Sequence, residues 1–278
     1  MYQFQQKLKY LKGQIKHWNQ TVFGNIFEEK KILEQSMHEQ QQELITKGRT
    51  EMLAEKEQAL QKQLEERYKQ EEILWRQKSR VRWLKEGERN TKFFHASTMQ
   101  RRMQNIISHI INQQGERMEN HEDMQQELVD YFKNIQQEPQ TNRQQEIDQI
   151  KQLIPKLVTA EHNKMLLRPV SPQEVDEAMA QFKDGKAPGP DGFTSNFFHH
   201  FWDLIKFEVW QLVEESRTMH WLLPSLNATF IALVPKEDQP SKPDKFRPIS
   251  LCNVIYKFIS KIIANRLKPL LPLLISPE

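Results

Sequence analysis

The side chains of this 278-residue chain that could act on a ligand are cations far more than carboxylates. Lys236 and Lys242 lie in a polar, proline-punctuated stretch between two short apolar runs, and Arg247 stands at the start of the second run. That pattern predicts an antiparallel hairpin with both lysines at its tip and Arg247 on its return arm. A second group lies upstream. Between Lys78 and Arg102 eight Lys or Arg face only Glu86 and Glu88, and Trp83, Phe93 and Phe94 are interleaved with them. Arg80, Arg82, Lys92, Arg101 and Arg102 can neutralise phosphates while the rings stack on bases; the same rings can equally pack helix ends. His95 beside Phe94 has no second metal-type residue at ligand spacing and reads as a packed, neutral histidine. The third group is a loop, GKAPGPDGF, holding three of the chain's eight glycines (Gly185, Gly189, Gly192) with Lys186 and Asp191. Its prolines fix φ and refuse a strand ladder, so it exposes backbone rigidly and hands the chain to a helix N-terminus. The GxxxxGK[ST] spacing of a P-loop is missing, and Asp191 sits among turn formers, where its carboxylate satisfies backbone N–H groups.

Composition bounds what these residues belong to. With 37% hydrophobic and 28% charged residues the chain is lean in core-forming side chains, enough for one large or two small domains. Cys252 is its single cysteine, which rules out a disulfide framework and CxxC metal sites. There is no long apolar stretch and no apolar core to an N-terminal signal, so the expectation is an intracellular, soluble protein without a membrane partner. The net charge of +3 conceals two basic islands, of +6 at residues 78–102 and +5 at residues 236–268. Concentrated positive charge fits a polyanion partner such as RNA or DNA, though a solvated surface gives the same count.

The elements that must position these groups change character along the chain. All 14 prolines lie at or beyond Pro139, and most of the glutamines lie at or before Gln152. Ile26, Leu33, Met37 and Leu44 mark one helical seam, and Leu53, Leu60, Leu64 and Leu74 another. Gly48 suits a left-handed helix stop and Thr50 an N-cap, which predicts two long antiparallel helices able to space domains or self-associate. Asn112 to Gly115 reads as a small hairpin turn, and Asn120 as the cap of an amphipathic helix. Ser171, Pro172 and Glu174 form a capping box. Thr194 is placed to cap a long helix from Ser195 to about Trp221. Residues 227–234 and 246–251 read as the two hairpin strands, and Asn253 as the cap of a final helix. The expected class is mostly α with small β-hairpins (α+β). The expected division is 1–79 as a helical spacer, 80–170 as a basic linker and 171–278 as a third part.

Taken in order, GKAPGPDGF, LVPK and FRPISLCNVIYKFISKIIANRLK resemble the N-terminal blocks of a reverse transcriptase from a plant LINE-type (non-LTR) retrotransposon. Upstream, FGNIF and RWLKEGERNTKFFHAS resemble the spacer between endonuclease and polymerase in such polyproteins. The resemblance implies that residues 171–278 belong to the fingers subdomain. It implies that, in an intact polymerase only, Lys236 and Arg247 face the triphosphate of an incoming deoxynucleotide, a compact point charge and a planar fork suited to phosphoryl transfer. It also implies that Gly185, Lys186, Gly189, Asp191 and Gly192 frame the template side.

The intact family enzyme is an RNA-directed DNA polymerase that uses Mg²⁺ held by palm aspartates in F-x-x-D and [FY]-A-D-D blocks. Neither block occurs here, and there is no Asp-Asp pair. The expectation is therefore a fragment, inactive alone, with no catalytic residue, no metal ligand and no bound cofactor. A residual nucleic-acid-binding or helical interaction module is the alternative. The final helix is expected to leave about five large apolar side chains open where a palm would pack, making the C-terminal part marginal.

Overall fold

The computed structural model describes residues 1–81, 90–137, 143–153 and 155–275. The chain is mostly helical, with two small antiparallel strand pairs. It divides into two compact units, Leu8–Ile106 and Ile107–Glu278, the second also taking Met1–Lys7. Among the described residues no helix is long and apolar enough to cross a membrane.

The smaller unit contains most of α1 (Tyr2–Trp18), then α2 (Ile26–Lys47), α3 (Glu51–Ser79) and α4 (Thr91–Gln104). Gly48 turns the chain at φ +79°, and the Thr50 side chain accepts from the Leu53 N–H, so α2 and α3 stop and start where their sequence demands. Their seam is thin. Leu53 is buried, but the Ile26, Leu33, Met37, Leu44, Leu60, Leu64 and Leu74 positions are only half-buried. Polar staples supplement them: Lys30 with Glu71 at 2.7 Å, Arg67 with Glu29 at 2.8 Å, and buried Gln40 donating to the Leu53 carbonyl at 3.3 Å. Phe94, 1% exposed, packs α4 into this unit.

The larger unit opens with β1 (Ile110–Ile111) paired to β2 (Arg117–Met118) around a turn containing Gly115 at φ +86°. Then come α5 (His121–Gln136), α6 (Gln144–Leu153), α7 (Ala160–Leu167) and α8 (Pro172–Ala180). The Ser171/Glu174 capping box forms as its sequence requires, with reciprocal bonds of 3.0 and 3.2 Å. A second box, Thr159 with His162, has a histidine where the pattern expects Glu or Gln, so sequence alone gave no sign of it.

Two helix readings are corrected. The helix after the glycine loop is two pieces, α9 (Ser195–His200) and α10 (Trp202–Met219), broken at Phe201, and the Thr194 side chain makes no cap. The run Phe197, Phe198, Phe201, Trp202 accompanies the break: Phe198 is fully buried, Phe197 meets Phe193 and Phe201 at a tilt of 49° each, and Trp202 turns onto Phe258. The break separates a fully buried Phe198 from Trp202 on Phe258, while Phe201 itself stays 39% exposed.

After α11 (Pro224–Asn227), β3 (Thr229–Pro235) and β4 (Phe246–Cys252) form the main ribbon, in the register Val234 to Arg247 and Pro235 to Phe246. The final helices are α12 (Val254–Leu267) and α13 (Leu271–Leu274). Here too an expectation is corrected. Val254, Ile255, Phe258 and Ile262 of α12 are at most 3% exposed, packed toward α7, α8 and α11, and only Ile263 and Leu267 of its large apolar residues are open.

Candidate phosphate-facing site

The β3–β4 ribbon is built so that one face is anchored and the other free. Side chains alternate across a strand, so Phe246 and Arg247 must point to opposite faces. Phe246, 2% exposed, enters a cluster with Ile110, Met124 and Leu128, and Leu233 packs against the same cluster. The Ile111 N–H donates to the Ser241 carbonyl at 2.6 Å, so the connecting loop is tied down next to β1. Anchoring Phe246 on one side delivers Arg247 to solvent on the other.

Lys236 continues β3, its N–H donating to the Lys245 carbonyl at 2.9 Å. It is two residues beyond Val234, the partner of Arg247, so Lys236 and Arg247 share a face as diagonal neighbours. Lys236 Nζ donates to the Asp244 carbonyl at 2.6 Å, which fixes the ammonium above the loop and leaves two of its three donors for another acceptor. The Arg247 guanidinium makes no hydrogen bond or ion pair among the described residues. Lys245 lies on this face as well, held by Glu237 at 3.1 Å, which raises its pKa above the ordinary lysine value. Sequence reasoning missed Lys245; the period-2 spacing from Arg247 was the available signal. Lys242 is exposed at the start of the turn before β4.

The glycine loop lies elsewhere on the ribbon. Gly189 is buried against its base: a Cβ there would sit 2.4 Å from both the backbone nitrogen and Oδ1 of Asn253, and 2.6 Å from the Cys252 carbonyl carbon. Gly185 and Gly192 adopt φ of +71° and +86°, which a side chain would strain. The Asp191 carboxylate accepts from the Phe193 N–H at 3.0 Å, closing a turn. Lys186 is exposed. From Cys252 at the base to Arg247 is five residues, about 17 Å of strand. The loop and the paired cations therefore sit at opposite ends of one ribbon and are not one pocket.

Asn253 is the functional connector that the sequence disguised. Its position predicts a helix cap, but its side chain makes none; Oδ1 accepts from the Asp191 N–H at 3.1 Å and Nδ2 donates to the Ser225 and Leu226 carbonyls at 2.9 and 3.2 Å. At 1% exposed, it ties loop, α11 and the β4–α12 junction together. Arg266 is another buried polar node of this unit. It pairs with Glu174 at 2.8 and 3.0 Å and donates to the carbonyls of Leu166, Arg168 and Pro169.

In the smaller unit the basic patch is split. Arg80 closes α3 in the left-handed conformation, and the Arg101 guanidinium donates to the carbonyl of the preceding Ser79, which holds Arg101 at the end of α3; both cations are exposed. Lys92 is nine residues from Arg101 on α4, half a turn round the helix and about 13 Å along it. Arg102 is exposed next to Arg101. Arg82, like Trp83, lies outside the described residues. Phe93 and Phe94 contact each other edge-on at 5.8 Å; His95 meets the Trp75 ring at 4.4 Å but is exposed, so it is not the packed histidine its sequence position suggested.

Among the described residues no three His, Cys, Asp or Glu side chains converge to hold a metal ion. The described residues do not offer the converging carboxylates that the Mg²⁺ of the family resemblance needs.

No protein-family model matches the chain. Over 201 residues, 72% of its length, the chain is 25% identical to the transposon TX1 uncharacterized 149 kDa protein of Xenopus laevis. It is 31% identical over 108 and 104 residues to retrovirus-related Pol polyproteins from the type-1 retrotransposable element R2 of Bradysia coprophila and Nasonia vitripennis. The matched stretches are 15% of the first relative and 12% and 10% of the others. The homologues are proteins of non-LTR retrotransposons.

Proposed function

We propose that this chain carries the spacer and the fingers blocks of a non-LTR retrotransposon reverse transcriptase, of the plant LINE type, and that its own contribution is to hold phosphates. Residues 1–79 serve as the helical spacer, 80–170 as a basic linker and 171–278 as the N-terminal part of the polymerase domain. The observation that carries the reading is the shared face of Lys236 and Arg247, with Phe246 anchored on the opposite face. Arg247 offers two parallel N–H donors to a triphosphate and Lys236 a point charge beside it, stabilising charge without covalent chemistry. The loop around Gly189 and Asp191 frames the template side. Metal-bound carboxylates would lie outside these 278 residues, so the chain is expected to bind deoxynucleoside triphosphate but not to extend a primer.

Titration with a fluorescent deoxynucleoside triphosphate tests this. Replacing Lys236 and Arg247 together by Ala should weaken binding by about a hundredfold or more, since charge-assisted bonds contribute about 1.5 to 3 kcal/mol each. Binding unchanged within twofold, or template-dependent extension by the purified chain, would overturn the assignment. The tethering of Arg101 to the Ser79 carbonyl at the end of α3, next in sequence to exposed Arg80, favours a second, compatible reading, a nucleic-acid grip in the smaller unit.

A further inference from the structure

We propose that the groove between Phe182 and α12 is a subsite for single-stranded nucleic acid, taking a base against its aromatic wall and phosphates on Lys257 and Lys261. The inference rests on the polymerase reading above and names a surface which that reading leaves without a role. The groove has a volume of about 340 Å³, within the range of small-ligand sites. Tyr256, Ser260 and Ala264 follow one another at helical spacing along it, small residues forming the floor beyond one ring.

Its opposite wall is prepared. The Phe182 ring lies parallel to Phe258, 8° apart with centroids at 5.7 Å, and Phe258 is fully buried with Trp202 behind it at 5.5 Å. Phe182 is therefore a fixed, half-exposed platform, costing little further order when a base stacks on it.

The charge is equally telling. Lys257 and Lys261 are four residues apart on the groove wall, where like charges repel and weaken a helix. Neither makes an ion pair among the described residues, so the fold does not use them to stabilise itself. Their Cβ atoms are about 6 Å apart at this spacing, the scale on which successive phosphates follow one another in a strand. Lys183 and Lys186, both exposed, continue the positive charge into the adjoining loop. The two acids of that loop are both engaged, Asp184 by His199 at 3.2 Å and Asp191 by the Phe193 N–H at 3.0 Å. Cations alone would suit any acidic partner; cations beside a fixed, half-exposed aromatic ring favour bases joined by phosphates.

The test uses the full 278-residue chain and a fluorescein-labelled oligouridylate, with anisotropy read at several salt concentrations. Converting Lys257 and Lys261 to Gln should make the log–log salt slope shallower by about 1.4, two phosphates at about 0.7 each on a single strand. A Lys257→Arg/Lys261→Arg variant should keep the slope, which separates charge from folding, and circular dichroism should be alike in all variants. Tyr256→Leu should weaken binding by about fivefold or more with the slope unchanged. If the oligonucleotide binds but responds only to changes at Arg80, Arg101 and Arg102, the subsite is wrong while the polymerase reading stands. Polyglutamate competing as well as the oligonucleotide, with Tyr256→Leu silent, would mean an acidic peptide partner and also overturn it. Absence of binding by the unaltered chain sinks the subsite; loss of the Lys236 and Arg247 effect on triphosphate binding sinks only the reading beneath it.

Discussion

At the scale of single residues, the pair Gly189 and Asn253 shows how a close approach dictates sequence. Asn253 spends its side chain on one N–H and two carbonyls, all backbone and all remote in sequence, which leaves no room for a Cβ at residue 189. The neighbour in the way is backbone, which cannot swing aside. Gly189→Ala is therefore expected to destabilise the larger unit by about 1 to 3 kcal/mol through overpacking. Thermal unfolding followed in the aromatic region of the circular dichroism spectrum checks this; an unchanged midpoint would show that the loop can retreat from Asn253.

Among elements, the β3–β4 ribbon depends most on a borrowed contact. A two-stranded ribbon is marginal in water by itself, and this one keeps Phe230, Ile231 and Ile249 largely open, at 58%, 51% and 43% exposed. Phe246 and Leu233 attach it to the Ile110, Met124 and Leu128 cluster. Truncating Phe246 to Ala should cost about 3 to 5 kcal/mol and release the ribbon first. Hydrogen exchange is the measurement: amides of residues 229–235 and 246–252 should lose protection while those of α2 and α3 keep theirs. Equal loss in both would contradict the division into two units. The same logic explains α12, whose apolar side finds α7, α8 and α11 within the chain and so escapes the exposure that its sequence foretold.

For the molecule as a whole, contacts remote in sequence are concentrated at Arg266, which joins α12 to Glu174 and to the carbonyls before α8, more than ninety residues away. The Arg266 guanidinium, with the Ser171 N–H and Arg168 adding to it, pulls the Glu174 pKa from 4.5 down to about 2, against the opposing effect of burial. The folded-state value is the lower one, so the carboxylate contributes fully above pH about 4.5 and its contribution is lost as pH falls through about 2. Over that window wild-type stability should decline with an increment that Glu174→Gln lacks. The variant should already be weaker at neutral pH, by about 3 to 5 kcal/mol, because Arg266 is left buried and unpaired. Parallel pH profiles for the two proteins would refute the clamp.

The amino-acid order by itself determined the local features. Helix stops at Gly48, caps at Thr50, Asn120 and Ser171, the two hairpins and the cationic character of Lys236 and Arg247 all follow from φ preference, side-chain reach and the periods of helix and strand, which act over a few residues. Tertiary structure decided everything that needed a distant partner. It drew Asn253 away from capping to bridge three segments, broke the helix at Phe201 between a buried Phe198 and a Trp202 that meets Phe258, and gave α12 a buried side. It also set the glycine loop and the paired cations at opposite ends of one ribbon. No local period encodes such outcomes, because their energy comes from burial and hydrogen bonding between residues that only the folded chain brings together.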